Sequence, residues 1–153
     1  MIKYITANLI ELALKGEYDI IMHGCNCMCV MGKGMAKQIA VAFPEAYKAD
    51  KKTKSGDVYK LGTYSFAYNK QLRLKIINLY TQFNIGPCFE YAAFGLAIRS
   101  LAEVLNGDEK IALPMIGSGL GGGDWKIIEQ IIKEELGTFD VTIIKYEYKT
   151  WKY

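Results

Sequence analysis

Apolar residues in this chain come in short runs separated by longer amphipathic stretches, an alternation that predicts strands and helices in turn. Residues 3–6 and 18–22 read as strands, the second apolar enough to be buried. Between them Asn8 reads as a turn or cap. Leu9, Leu12 and Ala13 then share a helical face, and Gly16 stops it. Residues 23–34 read as a loop holding Gly24, Gly32 and Gly34. The next helix has Met35, Ile39, Ala42 and Phe43 on one face, and Pro44 ends it or starts a new turn. Residues 61–68 and 72–80 read as a strand pair joined by residues 69–71, and residues 81–90 as a loop. A helix is predicted over 91–105, with Phe94, Ile98, Leu101 and Leu105 in register. Residues 111–116 form an apolar strand, followed by five glycines in the seven residues 117–123. Asp124 is placed to cap a helix whose face is Trp125, Ile128, Ile132 and Leu136; Gly137 ends it, and residues 141–146 are the last strand. The reading is an α/β fold: one three-layer α/β/α domain over residues 1–153, around a central mixed sheet of about six strands.

Composition narrows the class. The chain of 153 residues is 51% hydrophobic and 23% charged, the balance of a globular protein rather than a disordered one. No run approaches the roughly 18 apolar residues of a membrane span, and the start carries no cleavable leader, so a cytoplasmic monomer without a membrane partner is expected. Nineteen basic and 16 acidic residues give a net charge of +3. The densest basic run is Lys48, Lys51, Lys52 and Lys54, read as a solvated helix end rather than the stripe of a nucleic-acid binder. Cys25, Cys27 and Cys29 alternate too closely to pair with one another, and the fourth cysteine is Cys88. Reduced thiols are expected, with no disulfide framework and no metal site.

The chemistry points to the two glycine-rich loops. Each joins a buried strand to a helix, where backbone N–H groups and a helix N-terminus face an anion. Both lie at carboxyl ends of strands, so they should meet over one cleft and cradle a diphosphate, most simply that of a nucleotide. Neither loop carries the Lys-Ser or Lys-Thr of a P-loop. Gly117, Gly119 and Gly122 fit G-x-G-x-x-G spacing, yet too little chain follows them for a dinucleotide fold.

His23-Gly24-Cys25-Asn26-Cys27, followed by Met31-Gly32-Lys33-Gly34-Met35-Ala36, resembles the first ligand loop of a macrodomain. Asn78-Leu79-Tyr80-Thr81-Gln82 and Leu113-Pro114-Met115-Ile116-Gly117-Ser118-Gly119-Leu120, with Trp125, match its later motifs in order and spacing. Within that family the H-x-C-N-C run resembles the ADP-ribose-1″-phosphate phosphatases, in a wider branch with terminal ADP-ribose hydrolases and DNA ADP-ribosyl hydrolases.

The resemblance implies an ADP-ribose cleft and assigns its parts. Asn26 would hydrogen-bond the distal ribose, and Gly32, Lys33, Gly34 and Met35 would pass beneath that ribose and the diphosphate. Gly117, Ser118, Gly119, Leu120 and Gly121 would wrap the diphosphate. Asn8 and Leu9 would meet adenine, Asn8 replacing an aspartate, and Tyr146 would stack near adenine or ribose. His23, as base or nucleophile, and Asp124, which is also a natural helix cap, would serve catalysis beside Asn26. The implied reaction is removal of the phosphate from ADP-ribose-1″-phosphate, without cofactor or metal. The alternatives are release of ADP-ribose from modified protein or nucleic acid, and a reader that binds without turnover. The hydrolases of this branch use a lysine where Gln82 stands and an aspartate where Gly121 stands, so a lysine-dependent covalent route is not expected here.

Overall fold

Local rules set most of the element ends. Asn8 accepts a hydrogen bond from the Glu11 amide at 3.1 Å and opens the first helix. Asp124 does the same for the last, accepting from the Lys126 amide at 2.9 Å. Pro44 stands at the start of its own helix, where its missing N–H costs nothing. The structure, a computed structural model, describes residues 2–146. The elements are β1 (Ile2–Ala7), α1 (Leu9–Leu14), β2 (Ile20–Asn26), α2 (Gly34–Ala42), α3 (Pro44–Lys51), a 3-10 turn (Val58–Lys60), β3 (Tyr64–Asn69), β4 (Leu74–Gln82), α4 (Tyr91–Ala102), β5 (Lys110–Pro114), α5 (Trp125–Leu136) and β6 (Asp140–Tyr146). Among the described residues no helix is long and apolar enough to cross a membrane.

The six strands form one mixed sheet in the order β1-β6-β5-β2-β4-β3, with only β3 antiparallel to its neighbour. Strand residues alternate between its faces. Met22, Ile77, Leu79, Ile111, Leu113, Val141 and Ile143 pack against Phe94 and Ile98 of α4 and Ile128, Ile132 and Leu136 of α5. Ile21, Leu74, Ile76, Ala112 and Ile144 pack against Leu9, Ala13, Ile39, Phe43 and Ala46 of α1–α3. Each large side chain buried this way stabilises the fold by about 1.5–3 kcal/mol before chain entropy is subtracted.

One expectation is corrected. Residues 23–26, read as loop, are the second half of β2: His23, Gly24 and Cys25 pair with Asn78, Leu79 and Tyr80 of β4. The His23 side chain there is satisfied by Asn78 of the neighbouring strand. Pairing also carries β4 to Gln82, two residues beyond the predicted end.

The topology then opens a crevice. From β2 the chain crosses to the edge strand β3 and returns as β4 on one side; from β5 it moves to β6 on the other. Ligands bind at such switch points of open sheets. Pairing between β2 and β5 is confined to Ile20–Ile111 and Ile21–Ala112, although β2 runs on to Asn26.

Candidate functional site

The two glycine loops meet where the topology leaves room. A cleft of about 580 Å³ opens above β2 and β5. One wall is Asn26, Val30 and residues 32–36; the opposite wall is Gly117, Gly119, Leu120 and Gly121; Thr81, Gln82 and residues 85–87 close one end.

Its walls are rich in backbone donors. The first N–H groups of α2, on Gly34, Met35 and Ala36, have no acceptor within the helix. Among the described residues, the N–H groups of Gly119, Leu120 and Gly121 have no protein acceptor either. The N-cap position of α2 is Lys33, with no side-chain cap bond. A cation at a helix N-terminus opposes the helix dipole, and a bound anion would reverse that cost. Backbone conformation fixes the second wall. Gly117 has φ +77°, and a Cβ there would lie 2.6 Å from the Phe89 ring. Its carbonyl accepts from the Gly123 amide at 2.6 Å, folding the loop back onto itself.

The Asn26 amide holds the first wall: Nδ2 donates to the Val30 carbonyl at 2.9 Å, and Oδ1 accepts from the Met28 amide at 2.9 Å. Cys29, inside this turn, takes φ +57°. A polar cluster behind the turn braces it. Lys60 Nζ donates to the Cys27 carbonyl at 3.3 Å, Tyr47 donates to the Cys29 carbonyl at 3.2 Å, and the Tyr80 hydroxyl donates to Asp50 at 2.8 Å. Burial pushes the Asp50 carboxyl above its usual range and the Cys25 and Cys27 thiols above theirs.

The sequence-predicted residues divide into three groups. Asn26, Gly32, Lys33, Gly34, Met35, Gly117, Gly119, Leu120 and Gly121 share the cleft. Ser118 sits in the same loop with its hydroxyl donating to the Met115 carbonyl at 2.7 Å. Asn8, Leu9 and Tyr146 lie at the carboxyl ends of β1 and β6, on the same sheet edge but outside the cleft lining; the Leu9 side chain belongs to the core. Asp124 also stays outside, its carboxylate engaged as the α5 cap. His23 borders the cleft but is only 1% exposed, with Nε2 2.7 Å from Asn78 Oδ1. Burial lowers its pKa to about 4, against the partial offset of that hydrogen bond. A neutral ring must donate through Nε2, because the Asn78 Nδ2 group already donates to the Ala46 carbonyl and the Ser65 hydroxyl.

Val30, Ile85, Gly86 and Pro87 also line the cleft. Only the loop position of residues 85–87 was legible beforehand, because the packing of Pro87 against Gly122 and of Phe89 beneath Gly117 is long-range. Gln82 braces that loop, donating to the Asn84 and Gly86 carbonyls at 2.8 Å each. No carboxylate lines the cleft among the described residues, and its one permanent cation is Lys33.

Comparison with known proteins places this geometry. The family model described as "Macro domain" matches residues 22–132. An Enterobacteria phage T4 protein, described as an uncharacterized 17.5 kDa protein in the tk-vs intergenic region, is 41% identical over 96% of this chain and 97% of its own. A Mycobacterium tuberculosis protein named DNA ADP-ribosyl glycohydrolase is 30% identical over 76% of this chain, which spans about a third (34%) of that relative's length. A Saccharomyces cerevisiae ADP-ribose 1''-phosphate phosphatase is 25% identical over 93% of this chain and 97% of its own. Among solved structures, the macrodomain of Mycobacterium tuberculosis DarG superposes with a TM-score of 0.76 at 25% identity, covering 97% of this chain and 99% of its own.

Proposed function

The chain belongs to the macro domain family, and on that premise we propose that its cleft binds ADP-ribose and releases it from a larger group attached at the distal ribose. The observation that carries the binding is the pair of donor rows: free N–H groups on α2 and on residues 119–121 flank one cleft, matching the oxygens of a diphosphate. In this reading Asn26 meets the distal ribose, its amide both donating and accepting. The adenine extends toward the ends of β6 and β1, where Tyr146 offers a ring and Asn8 Oδ1, which already caps α1, keeps a second lone pair.

The shape of the rim bears on the reaction. Val30, Ile85 and Leu120 are 41%, 56% and 64% exposed and ring the opening with apolar surface. Such a rim suits the flat face of a nucleobase or peptide better than a phosphate dianion, which would want cations beyond Lys33. Relatives named DNA ADP-ribosyl glycohydrolase favour modified DNA as the substrate.

Hydrolysis then breaks the bond between the 1″ carbon and its substituent. The water oxygen bonds to that carbon, and a proton passes to the departing group. The cleft lining supplies no carboxylate base, and His23 is neutral, buried and committed to Asn78. The substrate's own diphosphate oxygens are therefore the proton acceptors at hand. His23 is a positioning residue that ties β2 to β4 beneath Asn26. Gly34 and the residue 119–121 amides hold the diphosphate in place.

A second reading has one observation in its favour: the yeast phosphatase is matched over nearly its full length. There the group removed would be the 1″-phosphate. The two are separated by incubating the protein with an ADP-ribosylated oligonucleotide and, in parallel, with ADP-ribose-1″-phosphate. Release of ADP-ribose from the oligonucleotide is expected. Free phosphate alone would establish the second reading, and tight ADP-ribose binding without either product would make the protein a reader.

A further inference from the structure

The lysine run of residues 48–54 has a place in the fold that its sequence did not disclose. Lys48 and Lys51 belong to the last turns of α3, and Lys52 and Lys54 follow it. All four are exposed, and none has an ion-pair partner among the described residues. The only acid in the stretch, Asp50, is buried and holds the Tyr80 hydroxyl, so the surface charge of this segment is uniformly positive.

This segment is bolted to the turn that presents Asn26. The Gly56 amide donates to the Cys27 carbonyl at 2.8 Å, and the Ser55 hydroxyl to the Met28 carbonyl at 2.9 Å. Cys29 Sγ lies 3.3 Å from the Asp50 carbonyl, and Lys51 Nζ sits 4.5 Å over the Tyr47 ring, whose hydroxyl holds Cys29. Tyr59, 86% exposed, follows five residues after Lys54. These four lysines, with Asp57 the acid that follows them, thus belong to the stretch fastened to the Cys27–Cys29 turn, next to Asn26.

We infer that Lys48, Lys51, Lys52 and Lys54 form the backbone-binding surface for a single-stranded nucleic acid whose modified base enters the cleft. The inference rests on the proposed placement of the distal ribose at Asn26. A strand attached there leaves the cleft past this turn, and its phosphates meet four ammonium groups that have no ion-pair partner among the described residues. Exposed Tyr59 supplies a stacking face of the kind such strands use. Lysines hold phosphates as point charges and carry no sequence preference, so the surface selects polynucleotide over free nucleotide rather than one sequence over another.

The test uses the whole chain, a fluorescein-labelled unmodified single-stranded oligonucleotide and a salt titration followed by anisotropy. The quadruple variant K48Q/K51Q/K52Q/K54Q should bind the oligonucleotide at least about tenfold more weakly at low salt, and its log K against log salt slope should be shallower by about 3, from ~0.7 per phosphate contact. A control carrying K15Q/K70Q/K75Q/K110Q removes the same charge from the opposite, amino-end edge of the sheet and should keep the wild-type slope. Calorimetry with ADP-ribose should give one affinity for all three proteins, which shows that the cleft is intact. Failure of wild-type protein to bind ADP-ribose would remove the cleft reading, while the oligonucleotide arm would still decide the surface. No oligonucleotide binding at low salt, or equal loss of slope in both quadruple variants, overturns the inference. So does lysine-dependent turnover of an ADP-ribosylated peptide with none of the oligonucleotide, which would make the partner a protein.

Discussion

Replacing His23 by glutamine separates a structural histidine from a catalytic one. The glutamine amide can keep the donation to Asn78 Oδ1 but cannot titrate. In the wild type the ring is 1% exposed and its pKa is lowered from 6.5 to about 4. The unfolded chain takes up this proton as pH falls through 6.5, whereas the folded chain resists until about 4. Burial of the neutral ring therefore contributes stability that is complete above pH 6.5, declines as pH falls and is gone below about 4. At about 1.4 kcal/mol per pH unit, the gap between 6.5 and 4 makes this about 3 kcal/mol. Urea unfolding of both proteins between pH 7 and 4 measures it, because carboxylates common to both cancel in the difference. His23→Gln should be the less pH-sensitive of the two, and the stability difference between the proteins should move by about 3 kcal/mol in its favour across the range. Turnover should show no inflection near 6.5 that depends on His23. Parallel pH dependences, or a His23-dependent inflection near 6.5, would refute the assignment of a buried neutral ring and restore His23 as a candidate base.

Other changes probe the walls of the cleft. Gly117→Ala forces a Cβ to within 2.6 Å of the Phe89 ring at φ +77° and should cost about 1–3 kcal/mol in thermal unfolding while weakening ADP-ribose binding. Asn26→Ala removes the bonds to Val30 and Met28, so ADP-ribose affinity should fall about tenfold or more in calorimetry while AMP affinity stays unchanged. Tyr80→Phe strips buried Asp50 of its hydroxyl donor and should lower stability by about 1–3 kcal/mol in urea titrations.

What the sequence disclosed follows from which interactions are local. Asn8, Pro44 and Asp124 act within one turn of their own position, and their helices begin where the residues say. Ile128, Ile132 and Leu136 repeat at helical spacing and face the core as expected. The glycines at 32–34 and 117–121 announced two loops, and the strand-to-helix pattern placed both at one edge of the sheet. His23 was not legible in the same way. As a polar residue between glycine and a strand it reads as loop, and only pairing with Asn78, 55 residues away, makes it a buried strand residue. Asp124 carried two readings in the sequence, and the geometry of its carboxylate favours the cap. The brace beneath Asn26 joins Tyr47, Asp50, Lys60 and Tyr80, residues with no shared spacing, so no sequence pattern could reveal it.

In the proposed function two donor-lined loops share one diphosphate site, with the distal ribose beyond it. Calorimetry with ADP-ribose and AMP, on the wild type and on Gly119→Glu, tests it most directly. A Cβ at Gly119 would meet nothing within 4 Å, so the variant should fold with unchanged thermal stability while its carboxylate obstructs the diphosphate path. ADP-ribose should bind at least about tenfold more tightly than AMP, and Gly119→Glu should abolish ADP-ribose binding. Equal affinities for the two nucleotides, or an unchanged ADP-ribose affinity in the folded variant, would contradict it.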